Sequence, residues 1–467
     1  STPFVNDIMA DLHDPNTVYV AMDNHKYGDY SPYIIKSTDR GESWELISGD
    51  LPDRHLVWRM VQDHEDQNLM FAATEFGIFF TIDGGNEWIE LNGGAPTIAF
   101  RDITIQREHE DLVAASFGRG FFVLDDYTPL RHISEETLDQ EAKLFPTRDA
   151  FWYVPNSVVD SEGHDTYVAE NPPFGAVFTY YLKDSYLSKE AERKQQERKL
   201  DEDEDVPFPG WDALDKEIAS ENPYVQITIK DQSGEIINRV RGPARKGLHR
   251  VNWELRHTSK NWIDPSSGGG GWFSDSFPVV PGTYTAEMSV IDNGEVTNLS
   301  EPISFDVVPL QDGALDRQPD GRRQAFMETL IDFQRDLTAT SDLLNEQMEK
   351  INAMKTAYDR AEEENADLLE QIHEARMQLL EFDKAMSGSD AKGEVGESGP
   401  PTPGSRMYVG FRALNTTYGP TANHEKAVEA GKGELEVIKE QLNDFINSEI
   451  PELERGLQAI GAPPIQE

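Results

Sequence analysis

The chain has 467 residues, room for about three domains. It contains no cysteine, and 86 acidic residues against 42 basic ones give a formal net charge of −44. Disulfides and thiolate metal sites are therefore excluded, no apolar run approaches the roughly 18 residues of a membrane span, and the charge repels phosphate backbones, which argues against a nucleic-acid partner.

The acidic excess is spread evenly, −14 over 1–131, −16 over 132–314 and −14 over 315–467. This is the pattern of a solvated surface suited to salty surroundings. Ser1-Thr2-Pro3-Phe4 is neither an initiator Met nor a signal peptide, so the chain is expected to be processed or excerpted from a longer one.

Residues 1–131 repeat. Thr17–Met22, Leu69–Thr74 and Asp111–Ser116 match one another, as do Tyr33–Ser37, Gly77–Thr81 and Gly120–Leu124. Each unit consists of short apolar strands separated by turn residues. A period of about 40–45 residues with four strands per unit predicts β-propeller blades. Two units carry S/T-x-D-x-G-x-x-W, at Ser37–Trp44 and again at Thr81–Trp88. The spacing suits a tight turn in which Asp39 or Asp83 accepts backbone N–H bonds, Gly41 or Gly85 takes a conformation that a Cβ resists, and Trp44 or Trp88 covers the turn. These six residues are expected to be structural. The third unit ends in Phe117–Asp126 without the Gly and Trp, and its fourth strand is missing.

These paired Asp-boxes, the Ala73–Gly77 turn and the closing Gly118–Asp126 stretch resemble the last blades of a bacterial sortilin-type BNR propeller protein. The resemblance extends over nearly the whole chain. It implies an extracytoplasmic location (secreted, periplasmic or cell-surface), an upstream half of comparable length, and the glycosyl-hydrolase label that such repeats attract. It supplies no catalytic signature that maps onto a residue here. Only two complete blades are present, so the remaining blades, and the strand completing the third, are expected from upstream polypeptide or a separate chain.

Residues 145–310 predict a β-sandwich with strands at Ala176–Leu182 and Val225–Ile229 and a turn signal at Asp231–Gly234. Gly247–Leu255 alternates apolar and polar, and Pro281–Met288 follows. This G-x-H-x-V-x-W … P-G-x-Y arrangement resembles the Ig-like domain of flagellar hook-capping proteins, with Trp253 as a core residue and His249 structural. An insertion at 184–222 carries an exposed charged helix and the acidic run Asp201–Asp205, which lacks the glycines and alternating ligands of a calcium loop. Residues 266–271 predict a flexible loop.

Residues 315–467 predict a helical bundle. Leu330, Leu337, Leu344, Ile351 and Tyr358 fall seven apart, Phe326 and Phe333 accompany them, and Ile372, Leu379 and Met386 continue the pattern. Leu435, Ile438, Leu442 and Phe445 form a third stripe, expected to bend near Pro451. Such spacing places each set on one seam of a helix, and three amphipathic segments suffice for an antiparallel bundle. Residues 387–405, rich in Gly, Pro and Ser, predict a flexible loop.

No HExxH, P-loop, GxSxG or His/Cys cluster occurs, so the catalytic residues are unassigned and neither metal nor cofactor is expected. The fold class is thus a partial propeller, a sandwich with a charged insertion, and a C-terminal bundle. Ligand contacts are expected at His25 and Tyr27, in the inserted loop Asn24–Ser31, and at Glu75 and Arg119, which occupy nearly equivalent places in successive repeats. The ligand would be a peptide or a glycan bound by a secreted or surface protein. The alternative is a glycoside hydrolase acting on a polysaccharide, with its carboxylates mostly in the missing half. Tyr27, Tyr30, Trp262 and Trp272 are the aromatics that could stack on sugars.

Overall fold

A computed structural model describes residues 3–155, 169, 171–200, 205–259, 276–311, 313 and 315–465. Trp262, Trp272, the loop 266–271 and residues 201–204 of the acidic run lie outside the described residues. The chain divides into two compact units. The first takes in residues up to 150, 171–254 and 283–306, and the second 151–155, 255–259, 276–282 and 307–465.

Three antiparallel meanders open the first unit. Strands β1 (Phe4–Ala10), β2 (Val18–Asn24), β3 (Asp29–Ser37) and β4 (Glu45–Leu46) pair in sequence order. So do β5 (Val57–Gln62), β6 (Met70–Thr74), β7 (Gly77–Thr81) and β8 (Ile89–Glu90). Strands β9 (Phe100–Gln106), β10 (Asp111–Ser116) and β11 (Phe121–Leu124) form the third sheet, with β11 at its edge.

The sheets stack face to face. Along β6, Met70 and Ala72 pack with Tyr19, Ala21 and Ile34 of the first sheet. Phe71 and Ala73, on the opposite face, pack with Phe100, Ile103 and Ala114 of the third. Successive side chains of a strand point to opposite faces, so a sheet covered on both sides needs apolar residues at every position. Every residue of β6 and β7 is accordingly buried. The outer faces are open: Ile8 is 66% exposed on β1, and Phe121 is 77% exposed on β11.

The first strands of the three sheets lie side by side. Asn6 Nδ2 donates to the Val57 carbonyl at 2.8 Å and the Met60 N–H to Asp7 Oδ2 at 3.0 Å. Arg59 on β5 reaches Asp7 on β1 and Asp102 on β9, each at 3.2 Å.

The two S/T-x-D-x-G-x-x-W turns are built alike. Asp39 accepts from Ser37 Oγ and the Ser43 N–H, both at 2.8 Å, and from Ser43 Oγ at 2.5 Å. Asp83 accepts from Thr81 Oγ1 at 2.7 Å and from the Asn86 and Glu87 N–H groups at 2.9 and 3.1 Å. The tryptophans differ. Trp88 is buried and its Nε1 donates to the Ile47 carbonyl at 3.0 Å, which joins the second sheet to the strand end of the first. Trp44 also lies over its own turn, its Cζ2 3.5 Å from where a Gly41 Cβ would stand, but it is 44% exposed. Among the described residues no sheet stands before the first one to receive its indole as the Ile47 carbonyl receives that of Trp88.

Gly85 sits at φ 104°, where an added Cβ would lie 2.9 Å from the Ile47 carbonyl oxygen. At Gly41, φ 92°, the nearest atom to such a Cβ is Trp44 Cζ2 at 3.5 Å. Gly85→Ala is therefore expected to lower stability by about 2–3 kcal/mol and Gly41→Ala by less, as read from urea unfolding midpoints.

The Ser43 hydroxyl, the Ser43 N–H and the Ser37 hydroxyl hold the Asp39 carboxyl down to about 2. Burial pushes Asp83 upward, but Thr81 and the turn N–H groups outweigh it and keep this carboxyl below its ordinary value. Both contributions are thus complete above about pH 4 and are lost as pH falls through the depressed folded values. Asp83→Ala is expected to cost about 1–3 kcal/mol at pH 7, with the gap to wild type closing in unfolding curves taken toward pH 2.

Further strands follow: β12 (Ala142–Leu144), β13 (Ala150–Trp152), β14 (Ala176–Leu182), β15 (Tyr224–Lys230), β16 (Ile236–Pro243), β17 (Gly247–Trp253), β18 (Gly282–Asp292), β19 (Glu295–Asn298) and β20 (Ile303–Pro309). One sheet has the order β12-β14-β17; another contains β20-β18-β15-β16, with β19 on β18. Trp253, 1% exposed, stands edge-on to Tyr284 and Phe305, and Phe178 also meets Phe305, so aromatic rings fill the space between the sheets. His249 lies 5.3 Å from the Tyr180 ring and its Nε2 is 2.6 Å from the Arg245 carbonyl oxygen. Helix α1 (Glu135–Asp139) precedes these strands; α2 (Lys189–Glu197) and α3 (Trp211–Ile218) lie between β14 and β15.

The second unit is dominated by α4 (Asp320–Tyr358), α5 (Ala366–Ser387), α6 (Asp390–Glu394), α7 (Pro403–Leu414) and α8 (Ala422–Ala459). The heptad residues Leu330, Leu344 and Ile351 meet Ile372, Leu379 and Leu442 in one core. One expectation changes here. Residues 387–405 contain α6 and the start of α7, whose N-terminus is closed by a Thr402–Ser405 capping box with Pro403 in the first turn. Helix α8 carries Pro451 inside it and ends at Ala459.

Candidate functional site

The site begins with Trp58, half-buried on β5. Its Nε1 donates to Glu75 Oε2 at 2.9 Å. The Arg101 guanidinium, from β9, lies over the indole ring 3.7 Å from its centroid, and Arg101 Nη2 is 3.5 Å from the same Glu75 oxygen. Phe117 is 71% exposed, and its ring centroid is 5.4 Å from the Arg101 guanidinium. On another side the His25 ring meets Trp58 edge-on at 6.1 Å. His25 Nδ1 bonds the carboxylate of buried Asp23, which fixes the imidazole.

The local sequence explains the placement. Glu75 is in the turn between β6 and β7, its N–H held by the Leu56 carbonyl at 2.9 Å. His25 opens a 3-10 turn that closes at Gly28, φ 82°. Arg101 and Asp102 break the apolar alternation of β9 and stand exposed between buried Phe100 and Ile103. Because β5 and β9 are neighbours, Trp58 and Arg101 meet across them.

Of the four residues expected to contact ligand, two come together: His25 and Glu75 both touch Trp58. Tyr27 is 64% exposed and stacks on Phe4 at 6.2 Å, beside Lys26, whose Nζ is 4.2 Å from the Phe4 ring centroid. Arg119 is exposed, and among the described residues no ion pair joins it to Glu75; Arg101 fills that role. Trp58 and Arg101 were missed. Their signal was the interruption of strand alternation by an aromatic and a cation at matching places in successive units.

A second constellation ties sheets together. Asp63 is fully buried and accepts from Arg131 Nη2 at 2.8 Å, from Tyr127 Oη at 2.5 Å and from the Glu65 and Asp66 N–H groups. Arg131 also reaches Glu65 at 2.8 Å and Glu110 at 2.7 Å. Burial works to raise the Asp63 carboxyl, but Arg131 and Tyr127 hold it below its ordinary value. Asp63, His64 and Glu110 have metal-like spacing, their ligand atoms lying within 4.8 Å of one another. Arg131 already supplies the cation there. Asp11 repeats the turn in the first sheet, bonded by the His13 and Asp14 N–H groups, Tyr19 and Gln62. The sequence carries this as a second repeat, Asp11–Asp14–Asn16 and Asp63–Asp66–Asn68.

A cavity of about 140 Å³ is lined by Asp125, Arg148, Asp149 and Arg250 among others. Arg250 donates to the Asp125 and Asp126 carbonyls, and Arg148 to Asp111 at 3.2 Å. Burial and then Asp111 push the Asp125 carboxyl up. The space is too small for a sugar chain or a peptide. Among the described residues no helix is long and apolar enough to cross a membrane.

No family model matches the chain. A stretch of 98 residues is 33% identical to the xyloglucanase Xgh74A of Acetivibrio thermocellus, covering 19% of this chain and 12% of that protein. PorZ, a surface component of the type-IX secretion system of Porphyromonas gingivalis, aligns over 65% of this chain and 30% of its own, with 11% identity and a TM-score of 0.22. The GH74 xyloglucanase of Xanthomonas campestris aligns over 63% of this chain and 38% of its own, with 13% identity and a TM-score of 0.21. In each case the chain spans less than half of the protein it resembles.

Proposed function

We propose that residues 1–131 are successive blades of an Asp-box β-propeller of the sortilin type, part of an extracytoplasmic bacterial protein, and that they bind a glycan around Trp58, Glu75 and Arg101. The sandwich, read as Ig-like, and the helical bundle then serve as accessory or docking modules. The observation carrying the reading is the Trp58–Glu75–Arg101 cluster itself. It combines aromatic surface with a carboxylate and a guanidinium at the adjoining ends of β5 and β9, with the exposed ring of Phe117 beside Arg101. Aromatic faces stack on sugar rings, and paired charged groups bond their hydroxyls with orientation.

Further blades come, in this reading, from upstream polypeptide or a separate chain. The support is the open outer face of the first sheet and the exposed edge strand β11, which leave apolar side chains and strand edges in water. Xyloglucan is the first glycan to test, because of the 98-residue match to a xyloglucanase. The same match favours a second reading, a glycoside hydrolase, which requires two carboxylates about 5–9.5 Å apart across the scissile bond.

The test is a screen of the full chain against soluble xyloglucan, other β-glucans and a peptide set, with reducing ends assayed alongside binding. Saturable glycan binding without new reducing ends is expected. Release of reducing ends would move the assignment to the hydrolase, and binding of peptides alone would remove the glycan.

A further inference from the structure

The segment between β14 and β15 carries a surface that the glycan reading does not use. Helices α2 and α3 are clamped by Arg193, whose Nε and Nη2 donate to the two Glu217 oxygens at 2.7 and 2.9 Å and whose Nη1 bonds Glu197. The Glu221 N–H donates to Asn293 at 2.9 Å and anchors the end of α3 to the turn between β18 and β19. This clamp turns Glu217 toward α2. Ile218, the next residue, and Trp211, seven positions earlier, are left on a shared outward face, about 10 Å apart along the axis.

That face is apolar and in water. Trp211 is 74% exposed, Ile218 84% and Phe208 63%, with Phe208 edge-on to Trp211 at 5.1 Å. Val206, 59% exposed, extends it. Scattered exposed leucines are ordinary in a soluble chain, but a clustered Trp, Phe and Ile are the side chains that anchor protein interfaces. The exposed charges beside it are mostly acidic, Asp205, Asp212, Asp215 and Glu221 against Lys216.

We infer that this face docks a basic amphipathic helix of another protein. The apolar stripe spans two helical turns and matches the i, i+3, i+4, i+7 stripe of such a helix. The acidic rim selects lysine or arginine beside it. A second copy of this chain carries the same −44 charge, and an anionic lipid surface is negative as well, so both are disfavoured as occupants.

The probe is a fluorescently labelled peptide of Leu and Lys in helical amphipathic spacing. Its binding to the full chain is followed by anisotropy at physiological salt. An Ala/Lys peptide of equal charge and a Leu/Glu peptide of equal apolarity serve as comparisons. The Leu/Lys peptide is expected to bind about tenfold or more tightly than either, and the Phe208→Ser/Trp211→Ser/Ile218→Ser variant is expected to lose that preference. The variant should keep the wild-type melting temperature, because the three side chains are exposed. Equal binding of the Leu/Lys peptide by wild type and variant overturns the inference. So does sedimentation showing a wild-type dimer that the variant abolishes, or wild-type binding to phospholipid vesicles that the variant lacks.

Discussion

Replacing Arg131 with Ala is expected to lower the unfolding free energy of the sheet-containing unit by about 3–5 kcal/mol, the cost of removing one partner from a buried ion pair. Asp63 is fully buried, and Arg131 neutralises it while also holding Glu65 and Glu110. Without the guanidinium a carboxylate and the Tyr127 hydroxyl stay in the interior with an incomplete set of partners. Asp63→Asn on the Arg131→Ala background should recover part of the loss, because it removes the stranded charge. Urea unfolding of the two variants and the wild type measures both effects. The pH dependence has a definite sign. The folded Asp63 carboxyl lies below its unfolded value, so its contribution is complete above about pH 4 and fades as pH falls through the folded value. Arg131→Ala should therefore flatten the acid limb of the stability curve.

Trp58→Ala is expected to weaken glycan binding by about 30-fold or more while leaving the fold intact, the behaviour of a central aromatic contact. Trp58 organises its neighbours: it bonds Glu75, carries Arg101 on its face and meets His25 at its edge. Phe is the informative second substitution. Trp58→Phe keeps a ring under Arg101 but removes the donor to Glu75, so it should fall between wild type and Trp58→Ala. Titration calorimetry on all three separates the contributions of stacking and orientation.

Much of the architecture was legible because it is written in local patterns. The matching apolar runs at Thr17–Met22, Leu69–Thr74 and Gly77–Thr81 mark strands of stacked sheets, and the last two are buried along β6 and β7. The heptads of α4 mark the residues that reach the second unit's core. Turn chemistry was also legible, down to the side-chain oxygens of Asp39 and Asp83. The difference between Trp44 and Trp88 was not, because it depends on whether a sheet precedes the turn, and the motif is identical in both. Helix α7 was hidden by composition: glycine and proline before Thr402 outweighed the capping signal that starts it.

The site was half legible. His25 and Glu75 stood out as an inserted loop residue and a repeated turn residue. Arg119 was matched to Glu75 by position in the repeat, yet Arg101 makes the ion pair. Contact across β5 and β9 is set by how neighbouring sheets stack, which no single repeat records. The Arg131 network was missed for a related reason, since its members are separated by up to 68 residues.

The most direct measurement of the central claim is hydrogen exchange on the full chain with and without saturating glycan from the binding screen. The site proposed here predicts added protection first in the backbone around Trp58, Glu75 and Arg101, with Trp58→Ala abolishing it at the same glycan concentration. Protection confined to other segments, or retained in full by Trp58→Ala, would contradict the assignment of this cluster as the ligand site.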